Sequence, residues 1–215
     1  MALAGALGLA APFLNLGRSA VFAADSRQYS TRAIDLVGDS IVIDMLAPLS
    51  IDDAVAMGWA GGVARMSAAQ IAEVKASGIT VFHQSVGIVG HTAYEDALTY
   101  MASYNGLIAR MSDQFARIDT GSDIEKARAD GKAGVILGLQ NAEHFRTVED
   151  VTRFHGLGLR CAQLTYNTQN RLGSGSTERV DGGVSDFGAE VIRRMNDGGM
   201  LVDVLHRGDR TTLGA

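Results

Sequence analysis

The clearest fold signal in the chain is the unbroken apolar run AGVILGL at residues 133–139. A second run, MLVDVLH at residues 200–206, is almost as apolar. A strand with no polar face is buried on both sides, as in parallel sheets that are covered by helices. Similar short runs lie at residues 41–46, 79–83 and 161–166, and they bring the number of predicted strands to five.

Helical spacing of apolar residues separates these strands. The predicted helices span residues 67–74, 94–117, 122–130, 147–155 and 185–196. Strands that alternate with helices indicate parallel βαβ units. Two architectures fit this order: an open doubly wound sheet and part of a (β/α)₈ barrel. No Gly-x-Gly-x-x-Gly motif or P-loop follows the first strand, so the best sign of a nucleotide-binding sheet is missing.

Composition restricts the function classes. The chain has 215 residues, 47% hydrophobic and 20% charged, which is typical of a globular domain and not of a disordered one. Its net charge of −5 argues against a nucleic-acid partner, because phosphate binding needs clustered Lys and Arg. The single cysteine, Cys161, excludes an intramolecular disulfide and a cysteine-rich zinc module.

The first residues have the character of a targeting segment. Residues 1–14 are apolar apart from glycine and one proline, and the small residues of VFA at 21–23 fit a signal-peptidase cleavage site. We therefore expect a signal peptide at 1–23, export to the periplasm, and no membrane span after cleavage. No Lys or Arg precedes Arg18, so an ordinary amino-terminal core helix stays open as the alternative.

Polar side chains follow three of the predicted strands. Gln140 and Asn141 follow the third strand, Tyr166 and Asn167 end the fourth, and His206 ends the fifth. Barrel enzymes carry their catalytic groups at the carboxyl ends of the strands, and open α/β sheets bind ligands at the same edge. These side chains are the candidates for chemistry.

Several short motifs occur in a compatible order around these residues. They are GLQN at 138–141, QLTYN at 163–167, DGGVSDFG at 181–188 and GDRTTL at 208–213. With them, the stretch 134–213 resembles the membrane (renal) dipeptidase family of metallopeptidases. The resemblance implies a partial (β/α)₈ TIM-type barrel like that of amidohydrolases, of which residues 24–215 would be the amino-terminal portion with about five of eight strands.

The resemblance also implies a zinc site of one or two ions that cleaves dipeptides through a metal-held hydroxide. His206 matches the family's metal-binding histidine, with a merely structural histidine as the alternative. Gln140 stands where the family has a bridging glutamate, and it keeps an acceptor oxygen without the charge. His206 and Gln140 are thus the predicted metal ligands, although Gln140 could equally be a strand-end amide that bonds the backbone.

The first strand departs from the family pattern. The family has Asp-Gly-His-x-Asp there, whereas this chain has DMLAP at residues 44–48, so both ligand positions are apolar. Tyr166 stands where the family has a substrate-contacting histidine, and its hydroxyl can support an oxyanion. We therefore expect Tyr166 to be catalytic and, with Asn167, to bind substrate; a packed strand-end tyrosine is the alternative.

The other histidines and one aspartate are weaker candidates. His83 is expected at the end of the second strand, and Asp203 could orient its neighbours or be merely structural. His91, His144 and His155 are expected at the surface, because they lie in predicted loops or helices.

The function that the resemblance implies is metal-dependent hydrolysis of dipeptides. Two alternatives stay open: another amidohydrolase-like hydrolase, such as a lactonase or an acyl-amino-acid hydrolase, and a non-catalytic relic. The sequence also leaves the oligomeric state open, a homodimer included.

Overall fold

The computed structural model describes residues 29–49, 58, 61–62 and 65–215. The expected signal peptide at 1–23 lies outside these residues. Among the described residues, no helix combines the length and the apolar character needed to cross a membrane.

Helices and strands alternate along the described chain. The helices are α1 (Thr31–Asp39), α2 (Ala68–Ala76), α3 (Ala93–Arg110), α4 (Gly121–Ala129), α5 (Val148–Gly156), α6 (Asp186–Asp197) and α7 (Asp209–Leu213). The strands are β1 (Ile43–Asp44), β2 (Val81–Val86), β3 (Phe115–Arg117), β4 (Ala133–Leu139), β5 (Leu159–Gln163) and β6 (Leu201–Asp203).

The strands form one parallel sheet in the order β1-β2-β4-β5-β6, with β3 paired to the first residues of β4. In register, Phe82 lies beside Val135, and Gln163 lies beside Asp203. The sheet curls into a half-barrel, which confirms the predicted partial TIM-type architecture. All seven residues of β4 are buried, as its apolar run predicts.

The predicted helix at 94–117 is wrong at its carboxyl end. Helix α3 stops at Arg110, and Phe115–Arg117 form the short strand β3. The Ala133 amide donates to the carbonyl of Gln114 at 2.9 Å, so pairing with β4 determines the backbone here. In the sequence, Phe115 continues the helical spacing of the apolar residues of α3. The residue is apolar because it packs into the same core as that helix.

The convex face of the sheet carries the main core. Helices α3, α5 and α6 cover it with apolar side chains that pack on alternate residues of the strands. The largest contributors that are fully buried are Met101, Phe115, Leu137, Leu139, Phe145, Phe154, Leu159, Leu164, Leu172 and Met195.

The concave face has a smaller core at its amino end. Val81, Ile118, Ala127 and Ile136 form this cluster, in which Ala127 belongs to α4. A Cβ atom on Gly134 would lie 2.9 Å from Ile118, so glycine is needed there to admit that side chain. Helix α4 thus helps fill the amino end of the half-barrel.

The outer strands β1 and β6 each have one partner in the described sheet. Large apolar side chains on and beside them are exposed, including Ile43, Met45, Leu201 and Leu205. Such open edges are surfaces that further strands would cover.

His144 corrects a prediction, because it is completely buried instead of lying at the surface. Its ring packs edge-on against Phe154, with the ring centroids 4.7 Å apart, and its Nδ1 lies 3.1 Å from the Asn141 carbonyl. Burial lowers the pKa of His144 from 6.5 to about 3. His91 is exposed as predicted, and His155 is partly buried.

We predict that His144 makes the fold sensitive to acid. The unfolded chain takes up a proton at His144 near pH 6.5, whereas the folded chain does so only near pH 3. The contribution of His144 to the free energy of unfolding is therefore complete above pH 6.5 and falls by about 1.4 kcal/mol per pH unit below it. Urea unfolding of wild type and His144→Gln between pH 7 and pH 4.5 measures this difference, with exposed His91→Gln as the control. A wild-type-minus-variant difference that is constant with pH would contradict it.

Candidate active site

Tyr166, Asn167 and His206 meet at the carboxyl edge of the sheet. Tyr166 and Asn167 follow β5, and His206 follows its neighbour β6. The rings of Tyr166 and His206 stack with centroids 4.4 Å apart and an interplanar angle of 23°. The Asn167 amide donates to the His206 carbonyl at 3.2 Å. Three of the four predicted site residues are thus brought together.

Asn167 orients the His206 ring. The Nδ1 atom of His206 lies 2.8 Å from Asn167 Oδ1. An amide oxygen only accepts hydrogen bonds, so this contact places the imidazole proton on Nδ1. The lone pair then lies on Nε2, on the other side of the ring. A neutral imidazole held this way is suited to act as a general base or a metal ligand.

The backbone at this edge is strained. Asn167 has a φ of 62° and His206 a φ of 56°, and they are the two non-glycine residues of the described chain in the left-handed region. Asparagine and histidine are both found in this region more often than other non-glycine residues, but the conformation still costs roughly 1 kcal/mol or more for each. The loop that follows β5 stabilises both conformations through backbone hydrogen bonds. The Ser176 amide donates to the His206 carbonyl at 3.1 Å, and the Thr177 amide donates to the Asn167 carbonyl at 2.9 Å.

Asp181 fastens this loop to the start of α7. Its carboxylate accepts hydrogen bonds from the amides of Gly183, at 2.9 Å, and Arg210, at 2.6 Å. A Cβ atom on Gly175 would overlap the Asn167 backbone, so the loop approaches the site through a glycine. The DGG motif at 181–183 therefore serves to position the site residues.

Gln140, the other predicted ligand, is one strand removed from His206. It follows β4, and β5 stands between it and the strand of His206. Its side-chain oxygen faces Gly87 after β2, 4.0 Å from where a Cβ atom of Gly87 would be. The assignment of Gln140 and His206 as metal ligands stays a prediction.

His83 lies inside the half-barrel and not at a strand end, because β2 continues to Val86. Its Nδ1 lies 2.6 Å from the Met45 carbonyl, and its buried Nε2 has no partner among the described residues. The ring occupies the space that a Cβ atom on Gly138 would need. Burial lowers the pKa of His83, an effect that the Met45 carbonyl and the Asp203 carboxylate oppose.

Residues 35–215 match the sequence model of the membrane dipeptidase family, peptidase family M19. The chain belongs to this family. It is similar to an uncharacterized dipeptidase of Schizosaccharomyces pombe, at 29% identity over 56% of this chain and 30% of that protein. It is also similar to the dipeptidase verJ of Clonostachys rogersoniana, at 28% identity over 46% of this chain and 26% of that protein.

Solved structures of similar fold include two proteins from Pseudomonas aeruginosa. An amidohydrolase from Pseudomonas aeruginosa is 32% identical with a TM-score of 0.67, over 83% of this chain and 50% of that one. The probable dipeptidase PvdM from the same organism is 18% identical with a TM-score of 0.67, over 85% of this chain and 51% of that one, which shows a shared fold. The chain spans about half the length of these structures and about 30% of the curated relatives.

The described residues do not fit the two-zinc centre that the resemblance implies. Among them, no group of three or more His, Cys, Asp or Glu side chains could hold a metal ion. At the first strand, Asp44 is exposed and its carboxylate accepts the Leu46 amide at 3.0 Å, while Met45 and Leu46 are exposed and apolar. His206 therefore stands without the expected partners from β1.

We predict that Asn167 fixes the tautomer of His206. Asn167→Gly suits the left-handed backbone but removes Oδ1, so we expect His206 to become a mixture of tautomers. Asn167→Asp keeps an acceptor and should keep the proton on Nδ1. Long-range ¹H–¹⁵N spectra of the histidine rings report the tautomer, and His83, held by the Met45 carbonyl, is the internal control. The assignment fails if His206 keeps one tautomer in Asn167→Gly.

Proposed function

We propose that this chain supplies part of the active site of a hydrolase that cleaves the amide bond of dipeptides. The observation that carries the proposal is the unit of Tyr166, Asn167 and His206 at the carboxyl edge of the sheet, in a chain of the membrane dipeptidase family. A base with a fixed lone pair and a neighbouring phenol are the groups that hydrolysis of a carbonyl compound uses.

In this proposal His206 and Tyr166 have separate roles. The Nε2 atom of His206 would take a proton from the attacking water, and Asn167 keeps that nitrogen free by holding Nδ1–H. The Tyr166 hydroxyl would donate a hydrogen bond to the oxyanion as the tetrahedral intermediate forms. Asn167, expected from the sequence to bind substrate, thus acts in the proposal as a positioning residue.

Zinc is a separate part of the proposal. The resemblance to metallopeptidases supports it, whereas the first strand provides none of the expected ligands. We propose that zinc, when this chain binds it, is held through Nε2 of His206. The ion would occupy the lone pair that the base needs, so the base role described above belongs to the zinc-free form and in the zinc-bound form His206 would be a ligand only. Metal content after incubation with zinc and desalting tests this, and retention that is equal in wild type and His206→Ala would refute it.

A broader amidohydrolase activity is the second candidate. The similarity to the Pseudomonas aeruginosa amidohydrolase, at 32% identity, favours it. The distinction lies in the substrate: a dipeptidase prefers dipeptides, whereas the alternative would prefer N-acyl amino acids or lactones. A non-catalytic relic would turn over none of them.

We predict that the 215-residue chain alone shows no turnover, because the edges of β1 and β6 are open and the relatives are about twice as long. A chimera, in which the part of the Pseudomonas aeruginosa amidohydrolase that this chain does not cover completes the barrel, should hydrolyse dipeptides. In that form we expect His206→Ala and Tyr166→Phe each to lower kcat/KM about a hundredfold.

The assay uses panels of dipeptides, N-acyl amino acids and lactones, with circular dichroism to verify folding. The exposed His91→Ala variant is the matched control and should keep full activity. Turnover that is unchanged in His206→Ala would remove this histidine from the mechanism. Preference for N-acyl amino acids or lactones would replace dipeptidase by the second candidate.

We further propose export by way of the segment 1–23. The apolar run that ends in VFA supports this proposal. We predict that the chain, expressed with residues 1–23 intact, is recovered outside the cytoplasm, cut close to Ala23 so that it begins near Ala24. Amino-terminal sequencing decides the matter, and a cytoplasmic species that retains Met1 would contradict the proposal.

A further inference from the structure

Arg207, the residue after His206, has a buried guanidinium without a partner. The side chain is 6% exposed, and none of its three nitrogens has a hydrogen-bond partner among the described residues. Removing a guanidinium from water costs several kcal/mol unless an anion or acceptors replace the water. A group of this kind therefore points to a ligand that supplies the missing anion.

Backbone contacts place Arg207 at the carboxyl edge of the sheet. Arg207 is bridged to Gly175 in the loop that follows β5, and the amide of the next residue, Gly208, donates to the Ser174 carbonyl at 3.1 Å. Burial lowers the pKa of Arg207 to about 10, an effect that the Asp203 carboxylate opposes. Asp203 therefore lies within electrostatic range of this guanidinium.

The nearby polar groups leave Arg207 unsatisfied. The Asp181 carboxylate is occupied by the amides of Gly183 and Arg210. Asp203 accepts the Leu205 amide at 2.8 Å and forms no ion pair with Arg207. The buried acceptors Gln163 Oε1 and His83 Nε2 are also unpartnered, and being neutral they could not balance the charge.

The replacements at the family's ligand positions, on strands other than β6, all weaken a metal site. Gln140 stands where the family has a glutamate, and Leu46 and Pro48 stand where it has a histidine and an aspartate. Each replacement removes a group that attracts a dication, whereas Arg207 adds a positive charge beside His206. This combination favours an anion over a second metal ion.

We propose that Arg207 is the anchor of a binding site for a small monocarboxylate at the carboxyl edge of the sheet, beside His206. A carboxylate fits the planar guanidinium through two parallel hydrogen bonds. Asp203 already offsets one positive charge at longer range, so a singly charged anion suits the site better than a phosphate dianion. Asp203 is partly exposed, so solvent reaches this carboxylate. The proposal does not depend on hydrolysis.

The test measures binding of ¹³C-labelled acetate to the 215-residue chain by ligand-observed NMR, with inorganic phosphate as the competing probe. We expect saturable acetate binding that weakens at least tenfold in Arg207→Met and is partly retained in Arg207→Lys. Arg210→Met is the matched control, because Arg210 is exposed three residues further on, and it should bind acetate as wild type does.

Thermal unfolding provides a second measurement. Sodium acetate should raise the Tm of wild type above its value in sodium chloride of equal concentration, since a ligand stabilises the state that binds it. Arg207→Met should be at least as stable as wild type without acetate and should not respond to acetate. Equal acetate binding in wild type and Arg207→Met, or none in wild type, overturns the site; tighter binding of phosphate than of acetate overturns the monocarboxylate assignment.

Discussion

Burial of β4 on both of its faces organises this half-barrel. Its peptide groups are removed from water, so they must be paired within the sheet. Strand β2 pairs along almost all of β4, while β3 and β5 pair with its first and last parts. Because β6 then pairs with β5, the chain segments after these two strands emerge side by side. The meeting of Tyr166, Asn167 and His206 follows from that order.

The sequence predicts a strand well where burial on both faces requires apolar residues at every position. The run at 133–139 is apolar because helices cover one face and the barrel interior the other. Strand β3 was not predictable in this way, because Phe115 fits the periodicity of α3 and its extended backbone depends on pairing with Ala133. The burial of His144 was not predictable either, because it depends on packing against Phe154, which lies on the next helix along the chain.

The residues of the candidate site could be predicted from the sequence, but the contacts between them could not. Polar side chains at strand ends, together with the family motifs, indicated Tyr166, Asn167 and His206. The hydrogen bond from His206 to Asn167 could not be foreseen, because it depends on two left-handed residues that a loop at 168–184 holds in place. The burial of Arg207 is equally invisible in the sequence, where an arginine before a glycine is typical of a surface turn.

The contact between His83 and Gly138 also constrains which substitutions the interior of the half-barrel can accept during evolution. The imidazole fills the volume of the missing methyl group on the neighbouring strand. An alanine at 138 would therefore be tolerated only after residue 83 had become smaller, whereas a smaller residue at 83 would be accepted with glycine still present. Substitution at 83 must therefore precede substitution at 138. His83 thus restricts the order in which these two interior positions can change.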